Sequence, residues 1–136
     1  MKASFLITLL AACLLACNSP QNATTTPDEV NGPPFQKISF KGGLKGIKCT
    51  HMADKYDEWR GQYKVQAMIV HTGHRRYKYM QLNASYLNAS GKEVAQSVGG
   101  PGYELMPGDS ALIETGWLFT SKDSLPNKVV LTVSNF

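Results

Sequence analysis

The stretch "YMQLNASYL", residues 79–87, decides the fold because its apolar and polar side chains alternate with period two. One face carries Met80, Leu82, Ala84 and Tyr86, and the other carries Tyr79, Gln81, Asn83 and Ser85. Successive side chains of an extended strand point to opposite sides, so this alternation predicts a strand with one face in a core.

Four further segments repeat the alternation on both sides of this strand. Their in-phase residues are Ile38 and Phe40 in "FQKISF", Tyr63, Val65, Ala67 and Ile69 in "QYKVQAMIVH", Ala111, Ile113, Thr115, Trp117 and Phe119 in "SALIETGWLF", and Val129, Leu131 and Val133 in "KVVLTVSNF". Each segment predicts a half-buried strand.

Turn residues separate the predicted strands at "NASGK" (88–92), "GGPG" (99–102) and "MPGDS" (106–110). Only "THMADKYDEWR", residues 50–60, has possible helical character, as a single turn or a loop. Short strands at regular spacing without a long helix predict an all-β sandwich or barrel of about 100 residues.

The N-terminus has the organisation of a targeting segment. Lys2 precedes an apolar run over residues 5–16, in which Thr8 is the one polar residue. A transmembrane helix needs about 20 apolar residues, so this shorter run is typical of a signal peptide.

The end of that run, Leu14-Leu15-Ala16-Cys17, resembles the lipobox of bacterial lipoproteins. The resemblance implies that residues 1–16 are removed and that the Cys17 thiol is lipidated with a diacylglyceryl group. Asn18 in place of Asp favours the outer membrane, with the protein facing the periplasm. Two alternatives stay open: a secretory signal with an incidental cysteine, and a structural thiol pair of Cys13 and Cys17.

The mature chain divides into a tether and a folded domain. Residues 17–34 are rich in Asn, Thr and Pro without hydrophobic periodicity, which predicts a flexible, disordered tether that spans roughly 20–25 Å as a coil. Residues 35–136 form the predicted β-sandwich. If Cys13 is removed and Cys17 is lipidated, only Cys49 keeps a free thiol, and the domain has no intramolecular disulfide.

Composition excludes some classes of protein. Among 136 residues, 43% are hydrophobic and 18% are charged, which is enough apolar material for a core and argues against disorder throughout. The formal net charge of +4 is too small to indicate nucleic-acid binding.

Two elements of the predicted sandwich resemble the small immunoglobulin-like domains of bacterial envelope lipoproteins, including the FxLYD type. The matching residues are Tyr86, Leu87, Asn88, Ala89, Gly91 and Lys92 in the first element, and Leu105, Pro107, Gly108, Asp109 and Ser110 in the second. The resemblance implies an immunoglobulin-like β-sandwich. Tyr-Leu-Asn replaces Leu-Tyr-Asp, which shifts the aromatic residue by one place and could reverse the face it occupies.

The densest positive stretch, "HTGHRRYKY" at residues 71–79, interleaves basic and aromatic residues at a predicted hairpin end. Together with the Gly-rich loop around Tyr103, it predicts a surface for anionic headgroups or an acidic protein. The candidate partner-binding residues are Arg75, Arg76, Tyr77, Lys78, Tyr79 and Tyr103. A solvated turn is the alternative interpretation.

Cys49 and His51, with His71 and His74, have donor types suited to zinc or copper, although their spacing matches no standard motif. No nucleophile-elbow pattern accompanies "GDSA" at residues 108–111. We therefore expect a non-enzymatic, membrane-anchored envelope module that binds a protein partner and needs no cofactor. A periplasmic metal-handling protein is the alternative.

Overall fold

The computed structural model describes residues 37–136, which form eight β-strands and one 3-10 helix at Lys122–Ser124. The strands are β1 Lys37–Phe40, β2 Ile47–Asp57, β3 Gln62–His71, β4 Met80–Leu87, β5 Glu93–Gly99, β6 Ser110–Glu114, β7 Leu118–Phe119 and β8 Lys128–Asn135. The predicted signal peptide, Cys17 and the tether lie outside the described residues.

The strands form two sheets that pack as a sandwich. One sheet has the order β1-β8-β4-β5, and the other has the order β2-β3-β6 with β7 also paired to β3. β1 runs parallel to β8, whereas the other pairs of strands are antiparallel. The predicted all-β sandwich is therefore confirmed, and the immunoglobulin-like topology stays a prediction.

The core lies between the sheets and is built from the alternating residues of β3, β4, β6 and β8. Tyr63, Val65, Ala67 and Ile69 from β3, Met80, Leu82, Ala84 and Tyr86 from β4, Ala111 and Ile113 from β6, and Val129, Leu131 and Val133 from β8 are all buried. The Tyr63 and Tyr86 rings meet edge to face across the core, with centroids 5.8 Å apart. The alternation thus predicted the inward face of each of these strands.

The predicted strand over residues 110–119 is interrupted. The prediction that Trp117 and Phe119 continue its inward face is wrong. β6 ends at Glu114, and the Gly116 N–H donates to the Val98 carbonyl of the other sheet at 2.9 Å. This bond draws the chain away from β3 before β7 resumes the pairing, so the alternation does not continue. Trp117 and Phe119 are exposed as a result, by 38% and 74%.

Residues 50–60 form most of the strand β2 and its turn, not a helical segment. The pairing with β3 shifts register between Cys49 and His51, which is a β-bulge. A bulge changes the face on which the following residues lie, so it hides the alternation in the sequence. The buried carboxylate of Asp54 on β2, which accepts a hydrogen bond from the Tyr63 hydroxyl at 2.9 Å, obscures the pattern further.

Different loops and turns lie at the two ends of the sandwich. At the Lys37 end lie the β1 start, the β2–β3 turn at residues 58–61, the turn at residues 88–92 and the 3-10 helix. At the Phe136 end lie the loops at residues 41–46, 72–79 and 100–109, which hydrogen-bond to one another. Both candidate sites described below lie at the Phe136 end.

Candidate binding sites

The segment at residues 72–79, between β3 and β4, carries most of the predicted binding residues. It is not a hairpin, because β3 pairs with β2, β6 and β7, whereas β4 belongs to the opposite sheet. The segment therefore crosses from one sheet to the other over the Phe136 end. Its path depends on contacts with distant parts of the chain.

His71 fixes the first half of this segment from the inside. Its side chain is buried, and its Nδ1 accepts a hydrogen bond from the Gly73 N–H at 3.0 Å. This acceptor role assigns the proton to Nε2, which donates to the Arg75 carbonyl. Both ring nitrogens thus hold the backbone of the segment that follows.

Tyr77 fixes the second half. It exchanges two backbone hydrogen bonds with Leu105, at 3.0 and 2.9 Å, and its hydroxyl donates to the Lys45 carbonyl at 2.7 Å. Its buried ring lies 5.1 Å from the His71 ring, centroid to centroid. The prediction that Tyr77 contacts a partner is therefore corrected, because this side chain holds the segment in place.

Lys78, Tyr79 and Tyr103, three of the predicted partner-binding residues, line one open groove of about 540 Å³. Phe136 lines the same groove, and its side chain is 76% exposed. Tyr79 and Tyr103 are each more than half exposed. The Lys78 ammonium lies 5.2 Å from the centre of the Tyr79 ring, close enough for a cation–π contact. We call this feature the aromatic groove.

Hydrogen bonds place two aromatic residues of the groove, Tyr79 and Phe136, beside one another. The Tyr79 N–H donates to Asn135 Oδ1 at 3.2 Å, and the Phe136 N–H donates to the Tyr79 carbonyl at 3.4 Å. These bonds tie the start of β4 to the end of β8. Two of the exposed rings therefore project from adjacent, hydrogen-bonded positions.

Glycine forms the opposite wall of the aromatic groove. A Cβ added at Gly99 would lie 1.9 Å from the Glu114 carbonyl oxygen, so no other residue fits where β5 approaches the other sheet. The wall continues through Gly100, Pro101 and Gly102 to Tyr103. It consequently offers mostly backbone and one aromatic ring to a ligand.

A second cleft at this end, of about 330 Å³, is lined by Lys45, Gly46, Thr72, Gly73, His74 and Arg75. We call it the basic cleft. Arg75 therefore lies in a different cleft from Lys78 and Tyr79, although they are close in sequence. Arg76 is exposed and lines neither. The structure thus divides the predicted basic–aromatic surface between two sites.

The four candidate metal ligands do not form a cluster. Cys49 is half-buried on β2, where burial raises the pKa of its thiol, and its Sγ hydrogen-bonds to the His51 carbonyl at 3.3 Å. His71 uses both ring nitrogens internally, whereas His74 is exposed at the basic cleft. Within residues 37–136, no group of three or more His, Cys, Asp or Glu side chains is placed to hold a metal ion.

Sequence reasoning missed Phe136, Val98 and Lys45 as site residues. Phe136 is out of phase with Val129, Leu131 and Val133, so the alternation of β8 already placed it away from the core. Val98 lies on the edge strand β5. Neither face of this strand is fully buried, so its sequence lacks the alternation of apolar and polar residues that would predict a strand. No local signal marks Lys45, whose position depends on contacts with residues 72–77.

No family model matches the chain, and neither a curated protein nor a solved structure matches it. In the part of the chain that the structure describes, no helix is both long enough and apolar enough to cross a bilayer.

Proposed function

We propose that this protein is a non-enzymatic binding module of a bacterial envelope, lipidated at Cys17 and displayed on the tether at residues 17–34. Its immunoglobulin-like sandwich binds a protein partner through the aromatic groove. The observation that carries the proposal is the grouping of three exposed aromatic side chains, Tyr79, Tyr103 and Phe136, around one groove. Exposed apolar side chains that form a contiguous patch are characteristic of interaction sites, whereas scattered ones are not.

The lining of the groove supports binding over catalysis. Lys78 is the one charged side chain among the lining residues, which include no His, Cys, Ser, Asp or Glu. A catalytic site for acyl or phosphoryl transfer requires an activated nucleophile or a general base at the reacting atom. Aromatic side chains on a fixed backbone instead suit a protein interface, where Tyr and Phe are enriched at the core.

Charge complementarity identifies the kind of protein segment that the groove would take. The charged side chains of the loops at the Phe136 end are Lys41, Lys45, Arg75, Arg76 and Lys78 against Glu104 and Asp109. This excess of positive charge favours an acidic partner and speeds its encounter. We therefore propose that the occupant is an extended, acidic protein segment whose apolar side chains pack on Tyr79, Tyr103 and Phe136.

The position of the groove relative to the proposed anchor suits this role. The described chain begins at Lys37, which pairs with Lys128 at one end of β8, whereas Phe136 follows the other end of that strand. The length of β8 separates these ends by roughly 25 Å. A tether attached at Lys37 would thus present the groove on the side of the domain that faces away from its membrane.

The groove is tested by titrating the full chain, in nonionic detergent, with short synthetic peptides that carry Phe and Leu among Asp, Gly and Ser. Fluorescence anisotropy should show saturable binding, and Tyr103→Ser should weaken it at least tenfold, as expected for an aromatic hot spot. Trp59→Ser is the matched control, because Trp59 is 98% exposed at the opposite end. Equal binding of peptides with Lys in place of Asp, or equal losses in both variants, would contradict the proposal.

The anchor is tested separately by metabolic labelling in a bacterial host. Radiolabelled palmitate should enter the wild-type chain and should not enter Cys17→Ala. Equal labelling of the two chains would contradict lipidation at Cys17 and would leave the groove to be judged by the peptide titration.

A further inference from the structure

The basic cleft is a second site, separate from the aromatic groove. It lies between the loop at residues 41–46 and the start of the segment at residues 72–79, and the two sites share no lining residue. Its side chains are of a different kind, since Lys45, His74, Arg75 and Thr72 are all polar. It therefore calls for a different ligand.

Two glycines form the floor of the cleft. The Gly46 backbone has a φ of 80°, and a Cβ there would lie 2.4 Å from the Gly73 Cα. A Cβ on Gly73 would lie 3.0 Å from the His71 ring. The backbones of the two loops therefore pack directly against each other, and only glycine fits at residue 46.

The cationic side chains at the rim have no anionic partner within residues 37–136. Lys45 and Arg75 are exposed, neither forms an ion pair with a described residue, and no carboxylate lines the cleft. Like charges that converge in this way repel one another. A bound anion would relieve the repulsion.

The buried rings of Tyr77 and His71 hold the backbone of Lys45 and Arg75, the two cationic residues of the cleft. The Lys45 carbonyl accepts a hydrogen bond from the Tyr77 hydroxyl at 2.7 Å, and the Arg75 carbonyl accepts one from His71 Nε2. The Thr72 N–H and hydroxyl both donate to the Gly46 carbonyl, at 2.7 and 3.2 Å, which joins the two walls. The positions of the cations on the backbone are thus set before a ligand arrives.

We propose that the basic cleft binds a phosphate group. The Arg75 guanidinium can donate two parallel hydrogen bonds to phosphate oxygens, and the Lys45 ammonium supplies a compact charge. The His74 ring adds a further hydrogen-bonding group at the rim. The cleft of about 330 Å³ is in the size range of small-molecule sites, so the phosphate would belong to a larger molecule, either a lipid headgroup or a soluble phosphorylated compound.

The test uses the full chain in nonionic detergent micelles and follows the backbone amide signals of Gly46 and Gly73 by NMR. Glycerol 3-phosphate and inorganic phosphate are the soluble probes, and phosphatidylglycerol added to the micelles is the lipid probe. We expect at least one probe to shift both signals saturably. A saturable response to the soluble probes alone assigns a soluble ligand, and a response to phosphatidylglycerol alone assigns a headgroup.

Matched variants separate the site from general positive charge. Arg75→Gln and Lys45→Gln should each weaken the saturable response at least about tenfold, which is the scale of a charge-assisted hydrogen bond. Arg76→Gln and Lys48→Gln remove the same charge from exposed positions outside the cleft and should change it less than about twofold. No saturable response to any probe, or equal losses in Arg75→Gln and Arg76→Gln, would overturn the proposal. Neither result depends on whether the aromatic groove binds a peptide.

Discussion

Both ends of the sandwich expose aromatic side chains, but they differ in how these residues and their charged neighbours are arranged. At the Lys37 end, Trp59 and Phe119 are exposed rings, and two ion pairs lie beside Trp59, Arg60 with Asp57 and Lys122 with Glu58. At the Phe136 end, three rings share one groove and the basic side chains lack acidic partners among the described residues.

The backbone strengthens the contrast between the ends. Trp59 lies in a surface turn, where the Asp57 carboxylate accepts hydrogen bonds from the N–H groups of Trp59 and Arg60. The segment at residues 72–79 is instead held by the buried rings of His71 and Tyr77. Exposure alone therefore does not define a site, whereas grouped side chains on a fixed backbone do.

The largest effect is expected from Gly99→Ala, which acts on the wall of the aromatic groove. The added Cβ would meet the Glu114 carbonyl at 1.9 Å, so the two sheets would have to separate locally, at a cost of about 3 kcal/mol. Gly116→Ala is the control, because its Cβ would lie 3.6 Å from the Val98 carbonyl, an ordinary contact. Urea denaturation measures the free energy of unfolding of both variants. An equal loss in the two would show that β5 does not approach the other sheet this closely.

A smaller loss of stability is expected from His71→Ala, and His74→Ala is its matched control. His71→Ala leaves the Gly73 N–H and the Arg75 carbonyl without their partner and should lower the free energy of unfolding by about 2 kcal/mol. His74→Ala changes an exposed side chain and should change it by less than about 0.5 kcal/mol. Equal urea midpoints for the two variants would contradict the role of His71 in holding the backbone of residues 73–75.

The ion pair of Lys64 with Glu114 gives the stability of the domain a dependence on pH. Glu114 accepts a hydrogen bond from Lys64 at 2.7 Å, which lowers the pKa of its carboxyl below the ordinary value of a glutamate. A depressed folded-state pKa adds stability above the unfolded-state pKa, and this stability is lost as the pH falls through the folded-state value. Because Glu114 is partly exposed, the contribution should be less than about 1 kcal/mol.

Glu114→Gln is the variant that isolates this contribution. It should be less stable than the wild type at pH 7, and the difference should disappear on acidification below the folded-state pKa. Urea midpoints measured across that range check the expectation. A difference that stayed constant down to the lowest pH would assign it to packing and not to ionisation.

The smallest effect is expected from Trp59→Ser at the Lys37 end. The side chain is 98% exposed, so its loss should change the free energy of unfolding by less than about 0.5 kcal/mol. It should also leave peptide binding at the aromatic groove unchanged. A loss of binding comparable to that of Tyr103→Ser would remove the distinction between the two ends.

The sequence predicted the core strands because period two is a local property. It predicted the inward faces of β3, β4 and β8 correctly, since these strands lie inside the sheets and each buries one side. β2 was hidden by its bulge and by buried Asp54, and β5 by its edge position. These failures share one physical cause, which is that tertiary pairing sets the face that a residue occupies.

The candidate site was predictable in part for the same reason. Tyr79 was placed on the outer face by its phase relative to Met80 and Leu82, and it does line the groove. Tyr77 has the same parity, but it precedes the strand and turns inward to Lys45 and Leu105. Contacts so distant in sequence leave no local pattern, so the separation of Arg75 from Lys78 into two clefts could not be foreseen.

The most direct test of the central claim, that binding belongs to the Phe136 end, is a map of amide chemical shifts in the full chain titrated with the acidic, Phe- and Leu-bearing peptides. We expect saturable shifts at Tyr79, at residues 99–103 and at Phe136, with the amides of Trp59 and Phe119 unchanged. Shifts centred on Trp59 and Phe119, or spread evenly over both ends, would contradict it.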